Sequence, residues 1–206
     1  CYNDNDKIFG GLIMAKKYQQ VKPKVPKEVL FGLIGVLVVV VGLILLTLRS
    51  NEQRIFDAYE VTAATITEEH PFYEVTYEGT LFNEGFKDII TNERLVILYL
   101  GSPLCSFCVS TIGEVEKYFY NQGFDAFVEN VYYYSDFPGN DITSDRQAML
   151  DDFPNIERST PQVIAFLDGE IILEYVQPED ENYARAVFNF FEDLEIKLEN
   201  ENFFEE

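Results

Sequence analysis

Two cysteines separated by two residues are the side chains in this chain with the clearest chemical capacity. Cys105 and Cys108 belong to the segment Ser-Pro-Leu-Cys-Ser-Phe-Cys at residues 102–108. Two thiols at this spacing can close a disulfide or exchange one with another thiol. A zinc site is a poorer interpretation, because the sequence offers neither a second cysteine pair nor a nearby histidine. The pair therefore predicts dithiol chemistry with no metal, and with no cofactor beyond a redox-active disulfide between the two cysteines.

A buried strand and an amphipathic helix flank the cysteine pair. Residues 95–101 read Leu-Val-Ile-Leu-Tyr-Leu-Gly, a nearly continuous apolar run of the kind found in strands covered on both faces. After Cys108, apolar residues recur every three or four positions as far as Phe119, which is the pattern of an amphipathic helix. The pair is thus predicted to lie where a buried strand turns into a helix.

This position favours the ionised form of the first thiol. The free N–H groups and the positive dipole end of a helix stabilise a thiolate over a thiol. Cys105, at the helix start, is therefore expected to be the exposed, attacking sulfur. Cys108, one turn later, is expected to face the sheet.

A second segment about fifty residues downstream supports the same interpretation. Thr160-Pro161 precedes an apolar run at 163–167, an Asp-Gly turn at 168–169 and a second apolar run at 170–175. The two segments together resemble the thioredoxin-like family, in which such a dipeptide, with a cis peptide bond, lies beside the cysteine pair. The resemblance implies that Thr160 and Pro161 contact a substrate through their backbone. The alternative for this dipeptide is an ordinary proline before a strand.

The order of predicted elements is also similar to that family. Strands and helices follow as β-α-β-α-β-α-β-β-α, with the last two strands forming an antiparallel hairpin. The predicted fold class is therefore α/β, a thioredoxin-like three-layer sandwich with a central mixed sheet, preceded by one N-terminal transmembrane helix. We assign this domain to residues 71–198 and an acidic tail to residues 199–206.

The sequence departs from the family pattern around the cysteines. Thioredoxins proper have Trp before the first cysteine and Gly-Pro between the two, whereas Leu104 and Ser106-Phe107 occupy those places here. Many members also carry an acidic residue six places before the first cysteine, where it moves protons for the buried thiol. Tyr99 stands there in this chain. Cys108 is therefore expected to rely on water or on another carboxylate.

Residues 29–48 contain no charge and predict a transmembrane helix. At about 1.5 Å per residue, 20 helical residues cover roughly 30 Å, the thickness of the hydrocarbon core. Lysines are concentrated just before this run, at Lys16, Lys17, Lys22, Lys24 and Lys27. This bias places residues 1–28 in the cytoplasm and the C-terminal domain outside a bacterial cell membrane. A buried core helix and a secretory signal are the alternatives.

The regions beside this run have less definite interpretations. We hypothesise that residues 1–13 are absent from the natural protein, because Gly10-Gly11-Leu12 can be encoded by a ribosome-binding sequence upstream of Met14; genuine cytoplasmic residues are the alternative. Residues 49–70 are interpreted as a juxtamembrane spacer. His70 is expected at the surface.

The charge of the chain excludes one class of partner. The formal net charge is −21, and 33 of the 36 acidic residues follow residue 48. So acidic a domain repels nucleic acid and anionic lipid headgroups. Solubility is one explanation of this charge, and attraction of cationic peptides is the other.

These features together favour a membrane-tethered, extracytoplasmic thiol–disulfide oxidoreductase. The layout resembles thioredoxin-like accessory proteins of Gram-positive bacteria that are encoded with bacteriocin transport genes. This resemblance implies two kinds of partner, namely exported cysteine-containing proteins or peptides and a thiol–disulfide electron partner. A binding or chaperone-like module with a merely structural disulfide is the alternative. A redox sensor that signals through the membrane is a third hypothesis, with little support from so short a cytoplasmic arm.

Overall fold

The computed structural model describes residues 26–47, 50–62, 64–81, 83–135, 142–175, 177–178, 180 and 182–205. The chain divides into two compact units, Cys1–Leu48 and Arg49–Glu206. The predictions for the basic arm before Pro26, including the start of the natural protein, lie outside the described residues.

Among its described residues, the first unit has the helix α1 at Lys27–Thr47. Its large apolar side chains between Val29 and Leu43 are 45% to 69% exposed. The sequence predicts a transmembrane helix over residues 29–48. Among the residues that the structure describes, however, no helix combines the length and the apolar character that crossing a membrane requires.

The second unit is built on a mixed five-stranded sheet in the order β1-β3-β2-β4-β5. The strands are β1 Phe72–Val75, β2 Leu95–Gly101, β3 Val131–Ser135, β4 Gln162–Leu167 and β5 Glu170–Glu174. β3 pairs in parallel with both β1 and β2, whereas β4 is antiparallel to β2 and to β5. β2 is the middle strand, and the final antiparallel hairpin agrees with the sequence prediction.

Helices cover both faces of this sheet. They are α2 Asn51–Glu60, α3 Phe86–Asn92, α4 Ser106–Asn121, α5 Ser144–Asp152 and α6 Tyr183–Asn200, with short 3-10 turns at Phe124–Ala126 and Phe203–Glu205. Every residue of β2 is buried. Because side chains alternate across a strand, Ile97 packs with α2, α4 and α6 while Leu98 packs with α3 and α5. The predicted three layers are therefore present.

The folded unit extends beyond both predicted domain bounds. Ile55 and Tyr59 of α2 are 3% and 0% exposed and belong to the core, where the sequence suggested only a spacer. At the other end, α6 reaches Asn200, and Phe203 packs against the core with the Arg94 guanidinium 4.9 Å from its ring centroid. Neither segment is a loose connection, because each buries apolar side chains.

His70 is buried, so its predicted surface position is wrong. Its side chain is 5% exposed. The imidazole Nδ1 accepts the Phe72 N–H at 3.1 Å, which leaves Nε2 as the donor to the Glu52 carbonyl at 2.9 Å. The histidine is covered because it joins α2 to the start of β1.

Candidate active site

A tight turn carries the chain from β2 to the cysteine pair. β2 ends at Gly101, and the next residue, Ser102, is fully buried. The Ser102 carbonyl accepts the Cys105 N–H at 3.1 Å, and its hydroxyl accepts the Leu104 N–H at 3.2 Å. The turn is thus closed by one serine and sets Cys105 at the start of α4.

Cys105 is the N-cap residue of α4. Its Sγ accepts the Cys108 N–H at 3.3 Å, so the sulfur satisfies one of the unpaired amides of the first helical turn. The same Sγ lies 3.7 Å from the Thr160 carbonyl oxygen. The prediction of an exposed sulfur is wrong, since Cys105 is only 8% exposed with the Thr160 backbone against it. It is still the more accessible of the two thiols.

Cys108 lies in the first turn of α4 and faces the sheet, as the sequence predicted. Its side chain is 0% exposed, and both cysteines are free thiols. Burial, and secondly its hydrogen bond with Cys105, raise the pKa of the Cys108 thiol to about 12. The two thiols therefore occupy different environments, one at the surface end of a helix and one enclosed.

The Thr160–Pro161 peptide bond is cis, which confirms the sequence prediction for this bond. Gln162, the first residue of β4, holds the preceding loop by donating from Nε2 to the Ser159 carbonyl and, at 2.8 Å, to the Glu157 carbonyl. These bonds fix the segment whose Thr160 carbonyl faces Cys105 Sγ. All four predicted site residues are thus together, while their roles stay predictions.

Tyr99 lies directly beneath Cys108. The Tyr99 hydroxyl donates to the Cys108 carbonyl at 3.0 Å. Burial is the main reason why the pKa of Tyr99 is well above its ordinary value. Where the family resemblance implies an acid that moves protons, this chain therefore has a neutral phenol.

Apolar side chains lie on the cysteine loop and at the start of α6; we define Leu104, Phe107 and Tyr183 as the apolar rim. Leu104 is 75% exposed and Phe107 is 41% exposed. The ring of Phe107 lies 6.2 Å from the ring of Tyr183, the first residue of α6. Exposed apolar side chains beside a reactive sulfur can contact a polypeptide that approaches it.

Several residues of the site were not found from the sequence. Gln162 and Tyr183 come from segments whose pattern indicates only secondary structure. No local spacing shows that Gln162 binds the loop before Thr160 or that Tyr183 lies beside Phe107. No group of three His, Cys, Asp or Glu side chains suited to a metal ion occurs in the part of the chain that the structure describes.

The strand order, the cysteine pair after the central strand and the cis Thr160–Pro161 bond beside it together define a thioredoxin-like fold. No protein-family model matches the chain, and no curated protein matches it significantly.

Solved structures that match the chain are thioredoxin-fold proteins of low sequence identity. A thioredoxin from Trypanosoma brucei brucei is 14% identical with a TM-score of 0.41, and the match covers 63% of this chain and 96% of that one. A thioredoxin variant from Halobacterium salinarum is 15% identical with a TM-score of 0.35, covering 59% and 93%. Thioredoxin f from spinach chloroplast is 13% identical with a TM-score of 0.35, covering 57% and 94%.

Proposed function

We propose that the unit Arg49–Glu206 is a thiol–disulfide oxidoreductase that acts through Cys105 and Cys108. One observation carries the proposal. Cys105 Sγ caps the first turn of α4, accepts the Cys108 N–H at 3.3 Å and lies 3.7 Å from the carbonyl that precedes the cis proline. A sulfur in this place has a helix N-terminus to stabilise its thiolate and a neighbouring thiol to resolve a mixed disulfide.

The reductive direction shows how the geometry works. The Cys105 thiolate attacks one sulfur of a substrate disulfide, and the other substrate sulfur leaves as a thiolate and takes a proton. Cys108 then loses its proton and attacks Cys105 Sγ. The mixed disulfide breaks, the second substrate thiol is released and the Cys105–Cys108 disulfide forms. Oxidation of a substrate dithiol uses the same steps in reverse, and potentials of such proteins extend from about −270 to about −120 mV.

Two cysteine variants test this function in residues 49–206. With insulin or a disulfide peptide as substrate, Cys105→Ser is expected to abolish exchange. Cys108→Ser is expected to form a mixed disulfide that persists and can be seen by mass spectrometry. An unaltered exchange rate in Cys105→Ser would exclude the proposal.

The apolar rim favours a second candidate function, a chaperone-like binding module. Leu104 and Phe107 offer exposed apolar area whether or not the thiols react. This function predicts that Cys105→Ser still suppresses the aggregation of a bound polypeptide, while Phe107→Ser does not. If the protein is an oxidoreductase, Cys105→Ser should impair the maturation of disulfide-containing substrates more than Phe107→Ser does.

The proposed substrates are exported proteins or peptides with cysteines, including peptides of the bacteriocin type, and a second thiol–disulfide protein would supply or remove the electrons. Two features support this choice. The apolar rim fits an unfolded or short polypeptide better than a small thiol, and the acidic chain favours cationic partners over nucleic acid. Trapping with Cys108→Ser in cells, followed by identification of the captured polypeptides, tests the substrate class.

The location outside the cell membrane, with the N-terminus inside, is a separate part of the proposal. It rests on the sequence, namely the uncharged residues 29–48 and the lysines before them. Protease added to intact bacterial protoplasts is expected to remove the unit Arg49–Glu206, and alkaline carbonate is not expected to extract the chain. Recovery of the full chain in the soluble fraction would contradict this location.

A further inference from the structure

Three buried tyrosines meet beneath the cysteine loop and have no role in the exchange as described so far. We define the tyrosine cluster as Tyr59 of α2, Tyr99 of β2 and Tyr133 of β3, which are 0%, 0% and 3% exposed. Tyr99 and Tyr133 are partners in the parallel β2–β3 ladder, and their rings stack with centroids 6.0 Å apart. The Tyr59 ring meets the Tyr133 ring edge-on at 6.1 Å.

The hydroxyls of the tyrosine cluster bind both ends of the cysteine loop. Tyr133 donates to the carbonyl of Gly101, the last residue of β2, at 3.1 Å. Tyr99 donates to the carbonyl of Cys108, in the first turn of α4, at 3.0 Å. The hydroxyls of Tyr59 and Tyr133 are 3.4 Å apart, and Tyr59 is the donor because Tyr133 uses its proton on Gly101. The tyrosine cluster therefore connects the strand that precedes the loop to the helix that follows it.

Gly101 is the residue that allows Tyr99 to reach Cys108. A Cβ at residue 101 would lie 2.4 Å from a ring carbon of Tyr99 and 3.1 Å from its hydroxyl oxygen. Any larger side chain would displace the ring and break its bond to the Cys108 carbonyl. The glycine at the end of β2 thus belongs to the same arrangement.

The tyrosines act as hydrogen-bond donors and not as bases. Burial is the first cause that raises the pKa of all three, with Tyr133 at about 12, so each keeps its proton at neutral pH.

The first turn of a helix is held least firmly, because its N–H groups lack partners within the helix. In the free enzyme the Cys108 N–H is bound to Cys105 Sγ. That bond weakens once Cys105 has formed a mixed disulfide, because a disulfide sulfur is a poorer acceptor than a thiolate. The bond from Tyr99 to the Cys108 carbonyl does not depend on the state of Cys105.

We propose that Tyr99, supported by Tyr133 and Tyr59, is a positioning residue that keeps Cys108 Sγ directed at Cys105 Sγ during resolution of the mixed disulfide. This inference rests on the proposed function. In the step concerned, the Cys108 S–H bond breaks, a Cys108–Cys105 S–S bond forms and the Cys105–substrate S–S bond breaks. The substrate sulfur leaves with the electron pair and is protonated, while the disulfide of the enzyme becomes the oxidised product.

The test separates attack by Cys105 from resolution by Cys108 in the full chain. The substrate is a disulfide peptide with a chromophoric leaving thiol, and the mixed disulfide is followed by acid quench and mass spectrometry. Tyr99→Phe keeps the ring and removes the hydroxyl, and it is expected to slow resolution about three- to tenfold. The rate of attack by Cys105, measured in the Cys108→Ser background, is expected to stay within twofold.

Tyr132→Phe is the matched control. Tyr132 is the neighbouring residue in β3, is 7% exposed, faces the opposite layer and donates its hydroxyl to Glu93. Removal of this hydroxyl also deletes one hydrogen bond, which is partly buried, but it is expected to leave both rates unchanged.

Each remaining outcome decides the question. Equal resolution rates in Tyr99→Phe and Tyr132→Phe would overturn the inference. An equal decrease in the rates of attack and resolution in Tyr99→Phe would also overturn it, because it would indicate a general destabilisation of the site. If Tyr99→Phe does not fold, Tyr59→Phe is tested in its place. It is expected to lower the rate of resolution by a smaller factor and to leave the rate of attack unchanged. An unchanged rate of resolution in Tyr59→Phe overturns the inference. A Cys108→Ser chain that forms no mixed disulfide refutes the proposed function and this inference with it. Normal exchange with an unaffected Tyr99→Phe refutes only the inference.

Discussion

His70 links the stability of the fold to pH. Its neutral ring accepts the Phe72 N–H and donates to the Glu52 carbonyl, so a second proton would destroy the first bond. Burial is the main reason why the pKa of His70 is lower than its ordinary value of 6.5. In the unfolded chain the ring titrates near that ordinary value. The unfolded state therefore binds a proton at a pH where the folded state does not.

We predict that His70→Gln removes this acid-dependent part of the stability. As pH falls below about 6.5, the free energy of unfolding of the wild type decreases until the folded-state pKa is reached, because protons favour the unfolded chain. The stability difference between wild type and His70→Gln should accordingly shrink from pH 8 to pH 5 in urea unfolding of residues 49–206. A constant difference over this range would contradict the prediction.

The residues that could be found from the sequence are those with a local signal, while their roles stay predictions. Cys105 and Cys108 are recognisable by their fixed spacing, and Pro161 is recognisable because it precedes a predicted strand. Tyr59 and Gln162 could not be found in this way. Tyr59 is one of a few apolar residues in a mostly polar helix, and the loop that Gln162 binds is defined only by the fold.

At the scale of elements, α4 is packed on its outer side by the segment that follows α2. A Cβ at Gly113 would lie 2.2 Å from Thr65 Oγ1 and 2.7 Å from the Thr65 carbonyl oxygen. One turn later the buried carboxylate of Glu116 accepts hydrogen bonds from the Thr67 hydroxyl and, at 2.9 Å, from the Thr67 N–H. The helix that carries both cysteines is thus fixed by residues 64–67 as well as by the sheet.

We predict that Gly113→Ala destabilises the folded unit by about 1–3 kcal/mol, the usual cost of forcing an extra carbon into a packed site. Helix propensity alone would give the opposite sign, since alanine is favoured over glycine by up to about 1 kcal/mol. Thermal and urea unfolding of residues 49–206 measure the effect.

Ser110→Ala, at an exposed position of the same helix, is the control for this change. Its hydroxyl donates a hydrogen bond to the Ser106 carbonyl of the same helix. If Gly113→Ala stabilises the protein, residues 64–67 can move aside to accommodate the added Cβ at low energetic cost, and the prediction is wrong.

Element order was more predictable than element partners. The apolar run of β2, the helical period of α4 and the turn at Asp168-Gly169 each appear within a few residues, so the succession of strands and helices could be read from them. The sequence of α2 indicates only a spacer, because few apolar residues, chiefly Ile55, Phe56 and Tyr59, interrupt its polar residues. Its contribution to the core depends on side chains of β1 and β3, such as Phe72 and Tyr133, which the local pattern of α2 does not reveal.

At the scale of the whole molecule, charge and the apolar rim act on a substrate at different distances. The acidic chain, with a net charge of −21, attracts cations over about one Debye length, roughly 8–10 Å at physiological salt. No charged residue occurs from Ser102 to Gly113, so close contacts at the entrance to Cys105 depend on shape and apolar area. Long-range charge should therefore affect the rate of encounter more than the strength of contact.

We predict a salt dependence that differs between two matched peptides. Both contain the same disulfide and one neighbouring leucine, and they carry four lysines or four glutamates. The kcat/KM for the lysine peptide should exceed that for the glutamate peptide at 20 mM salt by about tenfold or more, and the ratio should approach one near 500 mM salt. A ratio that does not change with salt would show that the net charge serves solubility alone.

The burial of Ile55 and Tyr59 limits how far the N-terminus can be truncated without loss of the fold. A recombinant fragment that begins at Phe72, as the strand pattern alone would recommend, lacks the two side chains that fill the space beside β1 and β3. Such a fragment would expose Tyr133 and Phe72 to water and would be prone to aggregate during purification. Expression should therefore start ahead of Ser50, whose hydroxyl accepts the Gln53 N–H and caps α2.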